Sequence, residues 1–263
     1  MILIMQSTRN SFMPYYFIPL LVIFISFTSN LLHAATICNK ASLDLNNSTV
    51  RTERLPLDTV VRIASPLKTT QNSPYYGHGS GVLIDVKGEF GFVLSASHVT
   101  AGHPLILVSI NKPENDKRLF WAKFIKEDRS LDLSLYKIID ADEITSGAQI
   151  FAGNNEIYQQ TLFTVGYPIQ LDSLSKAELF PESKIIVRQQ HLLGVDKYLG
   201  LGLKIKPLVM SDCIETGLSG GPVFDNTGRV FGINHSTDKY RNSQDSPVNG
   251  YIVSSSHIIK FLE

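Results

Sequence analysis

The chain has 263 residues, 43% of them hydrophobic, enough to bury a core without metal or disulfide staples. Its 24 basic and 24 acidic residues balance to zero net charge, so no long-range field gathers phosphates or anionic lipid, and nucleic acid is not an expected partner. Charged residues make up 18%, below the roughly 25% of an average soluble domain, which describes a globular chain and not a disordered one.

From the N-terminus, residues 1–34 read as a signal peptide. Arg9 is their only charge, and the apolar run Tyr15–Phe27 ends in polar Thr28-Ser29-Asn30, with small residues at Ala34-Ala35. That run falls within the about 7–15 residues of a cleaved segment and short of the ~20 that span a bilayer. Cleavage is expected after Ala34, giving a secreted or periplasmic protein with no membrane association afterwards; the alternative, an uncleaved anchor, is disfavoured by Pro19 and by Ala34-Ala35. Residues 35–56 form an N-terminal extension, 57–150 a first β-unit, and 151–263 a second β-unit with a terminal helix.

In the first unit, apolar segments bounded by turn residues predict six strands, over Thr59–Ser65, Gly81–Asp85, Gly91–Ser95, Leu105–Ile110, Leu119–Lys126 and Leu133–Ile138. Asp140 to Gln160 carries little periodic signal and reads as a linker. Six more strands are predicted over Thr161–Gly166, Lys184–Gln190, Leu203–Val209, Pro222–Phe224, Arg229–Ile233 and Gly250–Val253, with Asp225–Gly228 as a hairpin turn. A short helix, capped by Ser255 or Ser256, places Ile258, Ile259 and Leu262 on one face. The two cysteines, Cys38 and Cys213, lack C-x-x-C spacing and lie too far apart for a local zinc knuckle. Either they form a disulfide that ties the mature N-terminus to the region around Ser219, or they are two unlinked thiols.

Ser219 lies in "GLSGGPVFD", which satisfies the G-x-S-x-G pattern of α/β-hydrolases. That fold needs a helix directly after the serine and a parallel sheet with helical crossovers before it, whereas a strand and a hairpin follow here and no helical crossovers are visible. The stretch reads better as a hollow into which the backbone N–H groups of Gly217 and Ser219 point, donors for an oxyanion formed when a hydroxyl attacks an amide carbonyl. Such a hydroxyl needs a base. Among seven histidines, His98 stands out because it follows the apolar strand of "FVLSASHVTAG" and precedes the tight Thr100-Ala101-Gly102 turn. Asp132, set between leucines in "LDLSLYKI", is expensive to bury without a partner and fits the carboxylate that would orient an imidazole. Taken alone, it reads equally well as an edge-strand aspartate meeting solvent.

The segments "SGVLID", "VLSASHV", "LDLSLYKI" and "TGLSGGPVFD" resemble the motifs of trypsin-like (chymotrypsin-fold) serine proteases, most closely the bacterial HtrA-like and V8-like branches, over about residues 57–262. The order His98, Asp132, Ser219 matches that family. The resemblance implies an all-β fold of two six-stranded antiparallel β-barrels and a serine endopeptidase acting on protein or peptide substrates without cofactor or metal. It assigns catalysis to His98, Asp132 and Ser219 and the oxyanion hole to Gly217 and Ser219. Substrate binding falls to the strand Gly232, Ile233, Asn234 and His235, by backbone strand addition. His235 is also a candidate for favouring acidic side chains, although V8-like glutamyl proteases place their histidine one residue earlier, where this chain has Asn234.

Two departures stand out. Leu218 replaces the aspartate or asparagine that relatives carry before the serine, so no activating pairing with a freed N-terminus is expected, and the oxyanion loop must be ordered otherwise. The PDZ domains that follow HtrA proteases are not seen, which leaves oligomeric state open. The rival reading is an inactive protease-fold module that only holds peptides. The S-x-x-K pattern of Ser173–Lys176 lacks its companion motifs and reads as a polar loop.

Overall fold

The computed structural model describes residues 54–66, 76–111, 117–153, 160–169, 180, 184–195, 204–237 and 249–263. The signal-peptide reading, Cys38 and the Ser173–Lys176 pattern lie outside them. The first barrel comprises β1 (Val60–Pro66), β2 (Tyr76–Val86), β3 (Glu89–Ser95), β4 (Leu105–Asn111), β5 (Lys117–Asp128) and β6 (Leu133–Ile138). These pair in the order β1-β2-β3-β6-β5-β4, and β4 closes on β1. The second comprises β7 (Thr161–Gly166), β8 (Ile186–Val195), β9 (Leu208–Met210), β10 (Pro222–Phe224), β11 (Val230–Thr237) and β12 (Gly250–Ser254), closed in the order β10-β11-β12-β9-β8-β7. All pairings between these twelve strands are antiparallel. A one-turn helix α1 (Ser97–Thr100) follows β3, and α2 (Ser255–Leu262) ends the chain. The expected pair of six-stranded barrels is what the chain forms.

Three apolar clusters hold this together. Val61, Ile63, Val93, Ile106, Val108 and Tyr136 fill the first barrel, and Leu162, Leu192, Met210, Leu218, Phe231 and Ile252 fill the second. A third cluster is the seam, where Val82, Ile84, Leu94, Leu133 and Leu135 of the first barrel meet Phe163, Val165, Phe224, Val230 and Ile233 of the second. Strands at the seam are buried on both faces, so they read as continuous apolar runs. β6 shows the division: Leu133 and Leu135 face the seam while Tyr136 and Ile138 face the barrel interior. Slipping this strand by one residue would exchange the two sets, so its register, and with it the position of Asp132 just before it, is firmly fixed.

Several boundaries differ from expectation for physical reasons. β2 begins five residues before the predicted Gly81, because the stretch Gly77 to Ser80, which looks like a loop, pairs with β1 as Gly77↔Ser65 and Gly79↔Ile63. β8 extends to Val195, beyond the predicted Gln190. Its buried face carries Arg188 and Gln190 beside Leu192, so its alternation is hidden from a hydrophobic pattern. β9 is only Leu208–Met210, since Pro207 before it has no N–H for a ladder. The presumed linker is stitched to both barrels: Ala148 N–H donates to the Leu83 carbonyl, and Phe151 N–H to that of Val230. In α2 the buried residues are Ser255, Ile258 and Phe261, with Leu262 against the seam cluster and Ile259 only half-buried; Ser254 occupies the N-cap position.

Candidate active site

Each barrel sends chain ends to the seam. α1 presents His98 directly after β3, and the turn before β6 presents Asp132. Asp132 adopts a left-handed conformation with φ 55°, uncommon for a residue with a side chain and tolerated best by Asp and Asn. Three bonds lock the two segments together. The Ser97 N–H donates to the Asp132 carbonyl at 3.1 Å, the His98 N–H to Oδ1 at 2.9 Å, and His98 Nδ1 lies 2.7 Å from Oδ2. A carboxylate only accepts, so Nδ1 of His98 carries the proton and Nε2 keeps its lone pair.

A second imidazole meets the same oxygen: His235 Nδ1 lies 2.5 Å from Asp132 Oδ2, and the two rings are edge-on at 5.8 Å. Burial by itself pushes the Asp132 carboxyl up. Hydrogen bonds from His235 and His98, together with the attraction of either ring whenever it is protonated, outweigh it and hold the group at about 2.

On the second barrel Ser219 precedes β10. Among the described residues its hydroxyl makes one hydrogen bond, to the His235 carbonyl at 3.4 Å, and none to His98. The serine is pressed onto the first barrel: the Ser80 N–H donates to its carbonyl at 2.9 Å, and a Cβ on the next residue, Gly220, would collide with Ser95 Oγ and the Ser80 carbonyl. Gly217 has φ 95°, and a Cβ there would strike the Tyr167 carbonyl. The Thr216 carbonyl accepts from the Ile169 N–H at 2.9 Å, so in this trans peptide the Gly217 N–H points the opposite way. The Gly217 carbonyl accepts from Ser80 Oγ at 2.7 Å, and Ser80 Oγ accepts in turn from the Tyr167 N–H at 2.9 Å. Among the described residues, neither the Gly217 nor the Ser219 N–H donates a backbone hydrogen bond.

Leu218 is fully buried in the second barrel's cluster, pointing away from the hollow its neighbours frame. The loop's approach is anchored by the buried Arg188, whose Nη2 pairs with Glu215, and the Glu215 carbonyl accepts from the Leu218 N–H at 3.0 Å. Cys213, two residues before Glu215, is buried and disulfide-bonded; Cys38, its expected partner, lies outside the described residues.

The substrate strand lies differently from expectation. Gly232 and Ile233 are paired on both sides, to Val223 and Pro222 of β10 and to Ser254 and Val253 of β12, and Ile233 belongs to the seam core. Asn234 is buried, its N–H donating to the Gly221 carbonyl and its Nδ2 to that of Leu218 at 3.3 Å. The strand flank left uncovered by β10 begins at His235 and runs to Thr237, so of the Gly232–His235 stretch read from sequence only His235 lies on it. The His235 ring is committed to Asp132. Sequence reasoning missed that contact and missed Ser80, whose buried hydroxyl holds the Gly217 peptide. Ser80 lies in a glycine-rich stretch with nothing local to single it out.

The chain belongs to the trypsin-like peptidase domain family, whose pattern matches residues 79–233. It is similar to a DegP-like periplasmic serine endoprotease from Halomonas elongata, 31% identical over 159 residues, covering 59% of this chain and 28% of that protein. It also resembles the serine protease Do-like HtrA of Bacillus subtilis, 26% identical over 163 residues, 60% of this chain and 33% of the relative. The matched stretch thus spans a third or less of those proteins. Among solved structures, the active form of a protease from M. tuberculosis superposes with a TM-score of 0.59 at 18% identity, over 84% of this chain and 86% of that one, a likeness of fold.

Proposed function

We propose that the protein is a secreted or periplasmic serine endopeptidase that hydrolyses peptide bonds through an acyl-enzyme intermediate. The observation that carries this reading is the His98–Asp132 lock, which sets the imidazole tautomer with Nε2 free, at the seam where Ser219 emerges between two uncommitted N–H groups. In the proposed reaction Ser219 Oγ attacks the scissile carbonyl while His98 Nε2 takes its proton. Asp132 steadies the imidazolium, and the N–H groups of Gly217 and Ser219 receive the oxyanion. His98 then protonates the departing amine, and water resolves the acyl-enzyme by the same steps in reverse. The 3.4 Å contact of Ser219 with the His235 carbonyl is a resting one, which a side-chain rotation toward His98 replaces when substrate fills the seam. No metal or cofactor enters this chemistry.

The edge His235–Thr237 supplies backbone groups for an extended peptide. With Leu218 buried, Arg188 paired with Glu215 and Thr216 held by Ile169, the oxyanion loop is ordered within the chain and needs no new N-terminus. A Cys38–Cys213 disulfide adds a further tie there. The periplasmic assignment of the DegP-like relative supports the location. The test is labelling with a fluorophosphonate probe together with hydrolysis of a peptide library. Wild-type protein should label and cleave and Ser219→Ala should do neither; a folded wild type that does not label would leave the peptide-holding module as the better reading.

A further inference from the structure

The proposed chemistry has no use for the His235 ring. One imidazole suffices on a triad carboxylate, yet here two converge on a single oxygen, at 2.7 Å from His98 and 2.5 Å from His235. We propose that His98, Asp132 and His235 form an inhibitory site for a divalent transition-metal ion of the zinc class. Their ligand atoms lie within 4.8 Å of one another. Two imidazole nitrogens and one carboxylate oxygen are a donor set that zinc accepts, with a fourth tetrahedral place left for water, whereas calcium and magnesium favour all-oxygen sets.

The fit requires a small adjustment. Bonds of about 2.0–2.2 Å put tetrahedral ligand atoms roughly 3.3 Å apart, so the two nitrogen–oxygen contacts must open by roughly 0.7 Å from their present lengths. The Asp132 and His235 side chains, 8% and 11% exposed, form the fixed half, and His98, 46% exposed, has room to move.

Coordination would stop catalysis without blocking the seam. In the free protein each Nδ1 carries the single proton of a neutral imidazole and donates it to Asp132. A metal ion takes the Nδ1 lone pair, so that proton leaves to solvent and another is taken up at Nε2, with no change in the charge of the ring. His98 Nε2 is then a donor and cannot accept the Ser219 proton. This consequence rests on the proposed catalytic reading; the metal site itself does not.

The test is calorimetric titration of Zn²⁺ into the purified protein, its His235→Thr variant and its His235→Gln variant, each checked for folding by thermal melting, with fluorophosphonate labelling measured in parallel. The expected result is one zinc per chain, labelling suppressed by zinc and restored by a chelator, and affinity weakened at least about tenfold in both variants. No zinc uptake by the wild type, or uptake unchanged in both folded variants, would overturn the site. Uptake that depends on His235 in a chain that never labels would support the site and remove the protease reading instead.

Discussion

In the first barrel, both the main chain and the ring of His98 are bonded to Asp132, and the two segments meet in three hydrogen bonds of 2.7–3.1 Å. In the second, the Ser219 backbone is clamped by Ser80 and by the close approach of Gly220, but its hydroxyl has one long bond of 3.4 Å. In the proposed reaction the base is therefore oriented by its carboxylate before substrate arrives, and the hydroxyl is the group left to turn. On the proposed mechanism, pre-organisation falls where charge must be held, on the imidazole and the oxyanion donors, and a hydroxyl rotation costs little by comparison.

The comparison can be broken first at its tightest point. Asp132→Asn should lower kcat by about 10⁴-fold with KM nearly unchanged, because the amide no longer enforces the Nδ1–H tautomer. A loss below tenfold in steady-state peptide hydrolysis would mean that the lock does not matter. On the second barrel, Gly217→Ala should cost about 10²–10³ in kcat, since a Cβ there meets the Tyr167 carbonyl and turns one oxyanion donor away. The same assay checks it, and unchanged turnover would place the donors elsewhere.

The smallest effect is on stability. The Asp132 carboxyl sits at about 2 in the folded chain, below its ordinary value of 3.8, so its contribution is complete above about pH 4 and is lost as pH falls through about 2. That is about 2 kcal/mol. Chemical denaturation between pH 5 and pH 2 should show a steeper decline for wild type than for Asp132→Asn.

Strands whose buried face is apolar, such as β3 and β6, were legible because pattern and burial coincide in Phe92-Val93-Leu94 and Leu133–Ile138. β8 was cut short at Gln190 because polar Arg188, Gln190 and His191 interrupt its apolar pattern before Leu192, and β2 because Gly77 to Ser80, which looks like a loop, pairs with β1. His98 and Asp132, singled out by their surroundings and by their order with Ser219, are brought together by the structure, although Asp132 alone was ambiguous. Contacts made across the seam left no local trace. Ser80 bonds a peptide 137 residues away, and His235 reaches Asp132 across 103 residues, so neither could be found before the barrels were placed together. The stretch Gly232 to Asn234 was read as a substrate-binding edge for the same reason: only the ladder reveals that both its flanks are filled.

The most direct measurement is a crystal structure of the protein after reaction with a fluorophosphonate. The account predicts phosphorus on Ser219 Oγ and a phosphonyl oxygen held by the N–H groups of Gly217 and Ser219. It also predicts His98 Nε2 about 2.6–3.2 Å from the serine oxygen, with Nδ1 still on Asp132. An adduct on another side chain, or one on Ser219 with the His98 ring beyond hydrogen-bonding reach, would contradict it.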